Sequence, residues 1–374
     1  MDETMPHGGD TPDRTIAPAA TDLFIGLTPE KVLEAVERSG LSTRPVCYPL
    51  NSFENRVYEV ELADGSRVVA KFYRPGRWSE EQILEEHRFL ADLAGAEISV
   101  CEVRPFPAGH TIQTIEGIHY SLWDRRGGRA PDELDGDAVY RLGMFVGRMH
   151  TVGVSDVFAV RPRLDADRYV RRQMRFLEAE GLIPRPFEAR YLRTAEAIAD
   201  IADRLLDGVE TQRIHADLHL GNILFRDGEL RVLDFDDACI GPAVQDLWLA
   251  LPGRDEDTAR RRSLFIEGYE RFRLFDRSTL RLVEVLRGLR LVRYCGWLAR
   301  RRHDPAFQMG WPHFGTDDYW QTETADLEEQ LDIIRRGETV IDASASVGTS
   351  SFGAAESDES ELTNKDFFWD WEGD

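Results

Sequence analysis

Residues 215–222 read HADLHLGN, and LDFDDA follows at 233–238. A carboxylate, Asp217, thus stands upstream of an amide oxygen, Asn222, and a second carboxylate, Asp234, comes after a short apolar stretch. Transfer of a γ-phosphoryl group needs a carboxylate to accept a hydroxyl proton, oxygen ligands for Mg²⁺ and a cation on the phosphates that stay behind. Asp217 is of the type for the first task, and Asn222 with Asp234 for the second, since Mg²⁺ takes hard side-chain oxygens and phosphate rather than thiolates. Lys71, closing the string VVAK, is the candidate for the third. Each match alone is weak; as an ordered set with Glu86 between the lysine and the loop, they are specific.

Glu86 enters through helical periodicity. The segment SEEQILEEHRFLADLA has Ser79 as N-cap and Gln82 three residues on, the pattern of a capping box. Its inward stripe runs through Ile83, Leu90 and Leu93, and Glu86 falls on it, while Glu80, Glu81 and Glu85 are expected toward water. A carboxylate on a core-facing stripe requires a cation, because breaking a buried pair costs about 3–5 kcal/mol. Lys71, in the preceding strand, is the expected partner.

The elements that must position these groups divide the chain into unlike halves. In residues 25–123, Thr28 and Pro29 start a helix that Gly40 follows, and RVYEVEL, the turn Asp64-Gly65 and VVAKFY predict an antiparallel hairpin. Residues 124–340 are mostly helical by periodicity, around 136–151, 188–207, 257–273 and 279–302. One short β signal interrupts them, a hairpin of NILF and LRVLDF about Asp227-Gly228. A sheet-rich small lobe before a helix-rich large lobe is an α+β arrangement. Residues 1–24 are expected to be a disordered tail, and so are 341–374, which carry acidic residues and end in DFFWDWEGD. That acidic, aromatic end suits docking on a partner or on its own domain.

The spacing His215-x-Asp217-x-x-x-x-Asn222 matches the catalytic loop of kinases, with Asp234 where their metal-binding Asp stands. Upstream of Lys71 the chain reads LNSFENRVY in place of G-x-G-x-x-G, leaving backbone amides and the Ser52 hydroxyl to meet phosphates. Between Asp234 and Gly241-Pro242 there are too few residues for a phosphorylatable activation segment. HADLHLGN, LDFDDA and GPAVQDLW resemble the aminoglycoside phosphotransferase and choline kinase superfamily. More narrowly, LNSFENRVYEV, KFYRPGRW with ILEEH, and LRLVRYCGWLARRRHDPAF resemble the bacterial stress response kinase A family of protein serine/threonine kinases. That resemblance spans about 25–325 and implies a two-lobed kinase-like fold, ATP and Mg²⁺ as cofactors, and a protein Ser or Thr as acceptor. It implies Asp217 as proton acceptor, Asn222 and Asp234 as Mg²⁺ ligands, Ser52 in the ATP site, and HYSLWD as the strand whose backbone near Leu122–Asp124, including Trp123, meets adenine. The alternatives are a small-molecule kinase acting on an alcohol or amino-alcohol, and a non-catalytic nucleotide-binding sensor. The sensor would have lost the base, a metal ligand or the lysine, and none is lost.

Other polar residues have structural readings that are favoured over chemical ones. His215 and His219 are expected to brace the loop, Asp236 to bind loop amides or water, and Asp246 in QDLW to anchor catalytic-loop amides. Arg287, Arg290, Arg293 and Arg300–Arg302 are expected on solvated helix faces paired with Glu, and Gly143 and Gly147 at a close helix contact. Across 374 residues, 46 Lys and Arg against 68 Asp and Glu leave a net charge of −22, which disfavours nucleic acid and anionic lipid. Cys47, Cys101, Cys239 and Cys295 lie far apart, without metal-ligand spacing, and are expected as reduced, mostly buried thiols. With no signal-peptide pattern and no apolar run of about 18 residues, the chain is expected to be cytoplasmic, monomeric and away from membranes.

Overall fold

A twisted antiparallel sheet occupies the first part of the chain. The computed structural model describes residues 24, 26–50, 52, 54–226, 228–304, 307 and 310–337. Apart from Phe24, the expected tails fall outside the described residues, as does Asp227 of the expected hairpin turn.

Helix α1 (Pro29–Glu37) opens the small lobe. The strands are β1 (Thr43–Leu50), β2 (Arg56–Leu62), β3 (Arg67–Phe72), β4 (Val103–Arg104), β5 (Gln113–Ile115) and β6 (Ile118–Asp124), ordered β1-β2-β3-β6-β4 with β5 also on β6. Strand β1 was not expected from the sequence. It contains Pro45 and Pro49, which cannot donate to a ladder, and it takes the edge position where that is tolerated. The hairpin of β2 and β3 turns at Asp64 and Gly65, whose φ of 85° suits glycine. Alternation then sorts the sheet faces: Val60, Val68, Ala70, Phe72 and Leu122 pack on Val32, Ala35 and Val36 of α1, and Val69, Tyr73 and Trp123 face the other way.

That second face carries helix α2 (Glu80–Gly95), with its capping box formed between Ser79 and Gln82. Phe89, Leu90 and Leu93 of α2 pack into the core of the large lobe, so the helix joins the two halves. The large lobe comprises α3 (Gly136–Gly153), a π-helical turn at Asp167–Arg171, α4 (Arg172–Ala179), α5 (Arg185–Leu206), α6 (Val244–Ala250), α7 (Glu256–Tyr269), α8 (Val283–Arg301) and α9 (Asp317–Arg336). Between α5 and α6 lie β7 (Gln212–Ile214), β8 (Ile223–Arg226), β9 (Glu229–Val232) and β10 (Cys239–Gly241). Strands β8 and β9 make the expected hairpin; β7 and β10 pair with each other and were too short to leave a periodic signal. This is the two-lobed α+β architecture, and among the described residues no helix is long and apolar enough to cross a membrane.

The small residues of α3 work as expected. A Cβ on Gly143 would lie 2.0 Å from the Phe265 carbonyl oxygen of α7, and one on Gly147 would lie 2.6 Å from that of Tyr269. A Cβ on Gly136, by contrast, would meet Leu264 at an ordinary 3.6 Å. Gly143→Val is therefore expected to force α3 from α7 and cost at least about 1–3 kcal/mol in denaturant unfolding, whereas Gly136→Ala should leave the transition nearly unchanged.

Candidate active site

Lys71 sits mid-strand on the face turned to α2, 8% exposed. Its Nζ lies 3.5 Å from Glu86 Oε1, 3.1 Å from Asp234 Oδ1 and 2.9 Å from Asp236 Oδ1. Burial works against a charged lysine here, but Asp234, Asp236 and Glu86 outweigh it and hold its pKa well above the ordinary value. The expected Lys71–Glu86 pair is thus present, with carboxylates from the large lobe added to it.

Asp236 differs from expectation. It is buried and pairs with two cations, Lys71 and Arg77 at 3.1 Å, and its Oδ2 also accepts from the neutral Trp78 indole N–H at 3.3 Å, rather than binding loop amides or water. Burial alone would raise its pKa; Lys71 and Arg77 bring it down to about 2. Glu85 also departs from its expected solvent face. It is buried and accepts from the backbone N–H of Ala159 at 2.6 Å and of Arg161 at 2.8 Å, because α2 meets the large lobe on a second side.

Arg161 emerges only in three dimensions. Its Nη2 is 3.4 Å from Glu86 Oε2, and its guanidinium donates to the carbonyls of Asp236 at 3.0 Å and Ala238 at 2.8 Å. One buried cation thereby fixes both the glutamate behind Lys71 and the loop after Asp234. Sequence reasoning missed it because it lies in a connection with no motif around it.

The catalytic-loop candidates are hung from Asp246, as expected. Its fully buried carboxylate accepts from His215 N–H at 2.9 Å and Ala216 N–H at 2.7 Å, and it lies 3.0 Å from His150 Nε2. Ala216 adopts a φ of 68°, a left-handed conformation that needs such support. His215 is buried: its Nδ1 accepts from Asp217 N–H at 3.2 Å, so Nε2 carries the proton toward the Leu233 carbonyl at 2.7 Å. It braces the loop. His219 accepts from Gly221 N–H through Nδ1, and its Nε2 stands 3.6 Å from Asp217 Oδ2. Burial lowers its pKa from the ordinary imidazole value, against the opposing pull of Asp217.

Asp217 is three-quarters covered and receives Arg290 Nη2 on Oδ1 at 2.7 Å. Burial pushes its pKa up, but Arg290 and His219 reverse this and leave it below the ordinary carboxylate value. Asn222 donates through Nδ2 to the Asp217 carbonyl at 2.9 Å, which leaves its amide oxygen for a cation. Leu233 N–H bonds the Asn222 carbonyl at 2.8 Å across the base of the β8–β9 hairpin, setting Asp234 beside Asn222. Asp234 is half exposed and has a left-handed φ of 54°. An amide oxygen and a carboxylate are hard donors fitting Mg²⁺. Among the described residues no group of three or more His, Cys, Asp or Glu could hold a metal ion.

Ser52 lies at the tip between β1 and β2, its Oγ accepting from Asn55 N–H at 3.3 Å. Asn55 in turn accepts from Arg74 N–H at 3.1 Å. Neighbouring Glu54 is bound by Arg77 at 2.8 Å, by the Trp297 indole at 2.7 Å and by Arg301, the latter two from α8. Trp123 is buried behind the lysine, its ring centroid 5.8 Å from Lys71 Nζ and 5.9 Å from the His87 ring. The expected backbone edge at Leu122 and Trp123 is covered, for both residues are paired with β3 on one side and β4 on the other. The α8 arginines also differ from expectation: Arg290, Arg293 and Arg301 reach Asp217, Asp237 and Glu54, lining the cleft rather than a solvated face. The four cysteines are free, Cys239 and Cys295 buried and the others half-buried.

Residues 47–283 match the family described as phosphotransferase enzyme family. The chain is 38% identical over 313 residues to stress response kinase A of Escherichia coli, covering 83% of this chain and 95% of that one. It is equally 38% identical over 312 residues to the serine/threonine protein kinase RdoA of Salmonella typhimurium, covering 83% and 94%. Among solved structures, an amicoumacin kinase superposes with a TM-score of 0.65 at 22% identity over 83% of this chain and 94% of that one. A microcompartment-associated aminopropanol kinase does so with 0.63 at 20% identity over 83% and 97%. These last likenesses establish the two-lobed kinase-like fold.

Arg161→Met should destabilise the chain by about 3–5 kcal/mol in denaturant unfolding, since it removes one of the two cations on buried Glu86 and the donor to several buried carbonyls. A pH effect follows from His87, which is buried between the Tyr73 hydroxyl at 3.0 Å and the Thr111 hydroxyl at 2.8 Å. Burial, with Lys71 and Arg161 adding to it, lowers its pKa from 6.5 to about 3. Between those values the unfolded chain binds a proton that the folded site refuses. Stability should therefore fall as pH drops through that window, with a slope approaching about 1.4 kcal/mol per pH unit from this group. His87→Gln should flatten the acid side of the stability profile by one proton.

Proposed function

The chain belongs to the phosphotransferase enzyme family and, within it, to the stress response kinase A family, and from that footing we propose that it is an ATP- and Mg²⁺-dependent protein kinase acting on Ser or Thr hydroxyls in the cytoplasm. One observation carries the reading: Lys71 is held charged between Glu86 and Asp234, with Asp234 beside Asn222 and Asp217 on the same loop as Asn222. Residues of each type that phosphoryl transfer needs are present, which favours an enzyme over a nucleotide-binding sensor.

In this reading Lys71 grips the phosphates that are not transferred, and Glu86 and Arg161 keep it aimed. Asn222 and Asp234 would hold Mg²⁺, which when bound would neutralise charge on the phosphates. Asp217 orients the acceptor hydroxyl and takes its proton once the new bond is largely formed, a task suited to a carboxylate that stays ionised. Ser52 and its turn cover the phosphates from the small lobe. A polypeptide acceptor is favoured by the serine/threonine protein kinase of Salmonella that the chain resembles over most of its length.

Labelled ATP with Mg²⁺, generic protein acceptors and a panel of small alcohols and amino-alcohols tests this directly. Label is expected on Ser or Thr of polypeptide; transfer only to a metabolite would make it a small-molecule kinase, and binding without transfer a sensor. Asp217→Ala should lower turnover by about 10²–10⁴-fold with nucleotide binding nearly intact, and wild-type turnover in that variant would refute the role assigned to Asp217.

A further inference from the structure

Helix α8 delivers a pair of arginines to the floor of the cleft, one turn apart. Arg290 Nη2 donates to Asp217 Oδ1 at 2.7 Å, and Arg293 Nη2 to Asp237 Oδ1 at 3.1 Å, with the Arg293 guanidinium 4.7 Å above the Tyr169 ring. Both side chains are about one-quarter exposed, 22% and 26%. The other oxygen of Asp217 faces the His219 imidazole at 3.6 Å. The nearby carboxylate, Asp237, is already gripped from its second side by Arg77 at 2.8 Å.

An acceptor bringing its hydroxyl to Asp217 must therefore come in beside a guanidinium. An ammonium group next to that hydroxyl would meet like charge, and drawing Arg290 away from Asp217 to make room would give up their 2.7 Å ion pair. A carboxylate or phosphate next to the hydroxyl meets a planar fork of donors instead. It can take Arg290 in exchange for Asp217, one carboxylate partner for another, and leave the base open to the hydroxyl. The net charge of −22 opposes an anionic partner at a distance, but beyond about 8 Å that repulsion is screened at physiological salt, and the contact decides.

We propose that Arg290 is the acceptor-selecting residue of this site and that it favours hydroxyls flanked by an anionic group, which in a polypeptide means Ser or Thr beside acidic side chains. Arg293 extends the same cationic row. The polypeptide part rests on the protein-kinase reading above; the charge preference does not.

The experiment compares kcat/KM on matched acceptors: a Ser peptide flanked by Glu against the same peptide flanked by Lys, and a small hydroxy acid against an amino-alcohol. Wild-type chain is expected to favour the anionic member by about tenfold or more, the worth of one hydrogen bond to a charged group. Arg290→Glu should invert that order. Arg290→Gln, which keeps much of the length without the charge, should abolish the preference without inverting it, and it serves if the glutamate variant fails to fold by circular dichroism. A preference for hydroxy acid over amino-alcohol with neither peptide used would remove the protein acceptor and keep the role of Arg290. A wild-type preference for cationic acceptors, or a loss of turnover in both variants that is uniform over all acceptors, would overturn the proposal; the latter would put the guanidinium on the transferred phosphoryl group.

Discussion

A charged lysine buried beneath a sheet is tolerated only if carboxylates surround it, and most of the site follows from satisfying Lys71. Glu86 from α2 is one such group, and Asp234 and Asp236 from the loop after β9 are the others. Together they carry more negative charge than one lysine cancels. Arg161 and Arg77 supply the remainder, the first against Glu86 and the second against Asp236 and Asp237. The small lobe, the loop after β9 and the connection after α3 are thus bound in one charge network, and each member relies on the others for its cost of burial. Arg161 also holds the carbonyls of that loop, so its shape is set by a permanent cation.

The catalytic loop is positioned by a separate anchor. Asp246, wholly buried, binds the amides that lead into Asp217 and is itself met by His150 from α3. His215 then ties Asp217 to the strand ahead of Asp234. Left-handed backbone at Ala216 and Asp234, costly for residues with a Cβ, persists because such bonds over-determine it. The lobes meet again at the far end of the cleft, where Glu54 of the β1–β2 tip is held by Trp297 and Arg301 of α8, and Arg74 by Asp304 at 3.3 Å. The helix that presents Arg290 to the base therefore also grips the tip that carries Ser52.

What local chemistry imposes was legible in the sequence. The capping box at Ser79, the turn at Gly65, the close approach at Gly143 and the ordered set Lys71, Glu86, Asp217, Asn222 and Asp234 depend on residue type and spacing, and spacing on a helix or strand sets which side each faces. With them came the α+β division and the family. What tertiary structure alone decided were pairings between residues remote along the chain. The burial of Glu85, the cationic surroundings of Asp236, the bridge at Arg161 and the turning inward of Arg290, Arg293 and Arg301 each depend on a partner from another element. An arginine on an amphipathic helix looks the same in sequence whether water or a carboxylate lies opposite, because the charge it meets is chosen by how the elements pack and not by its own neighbours.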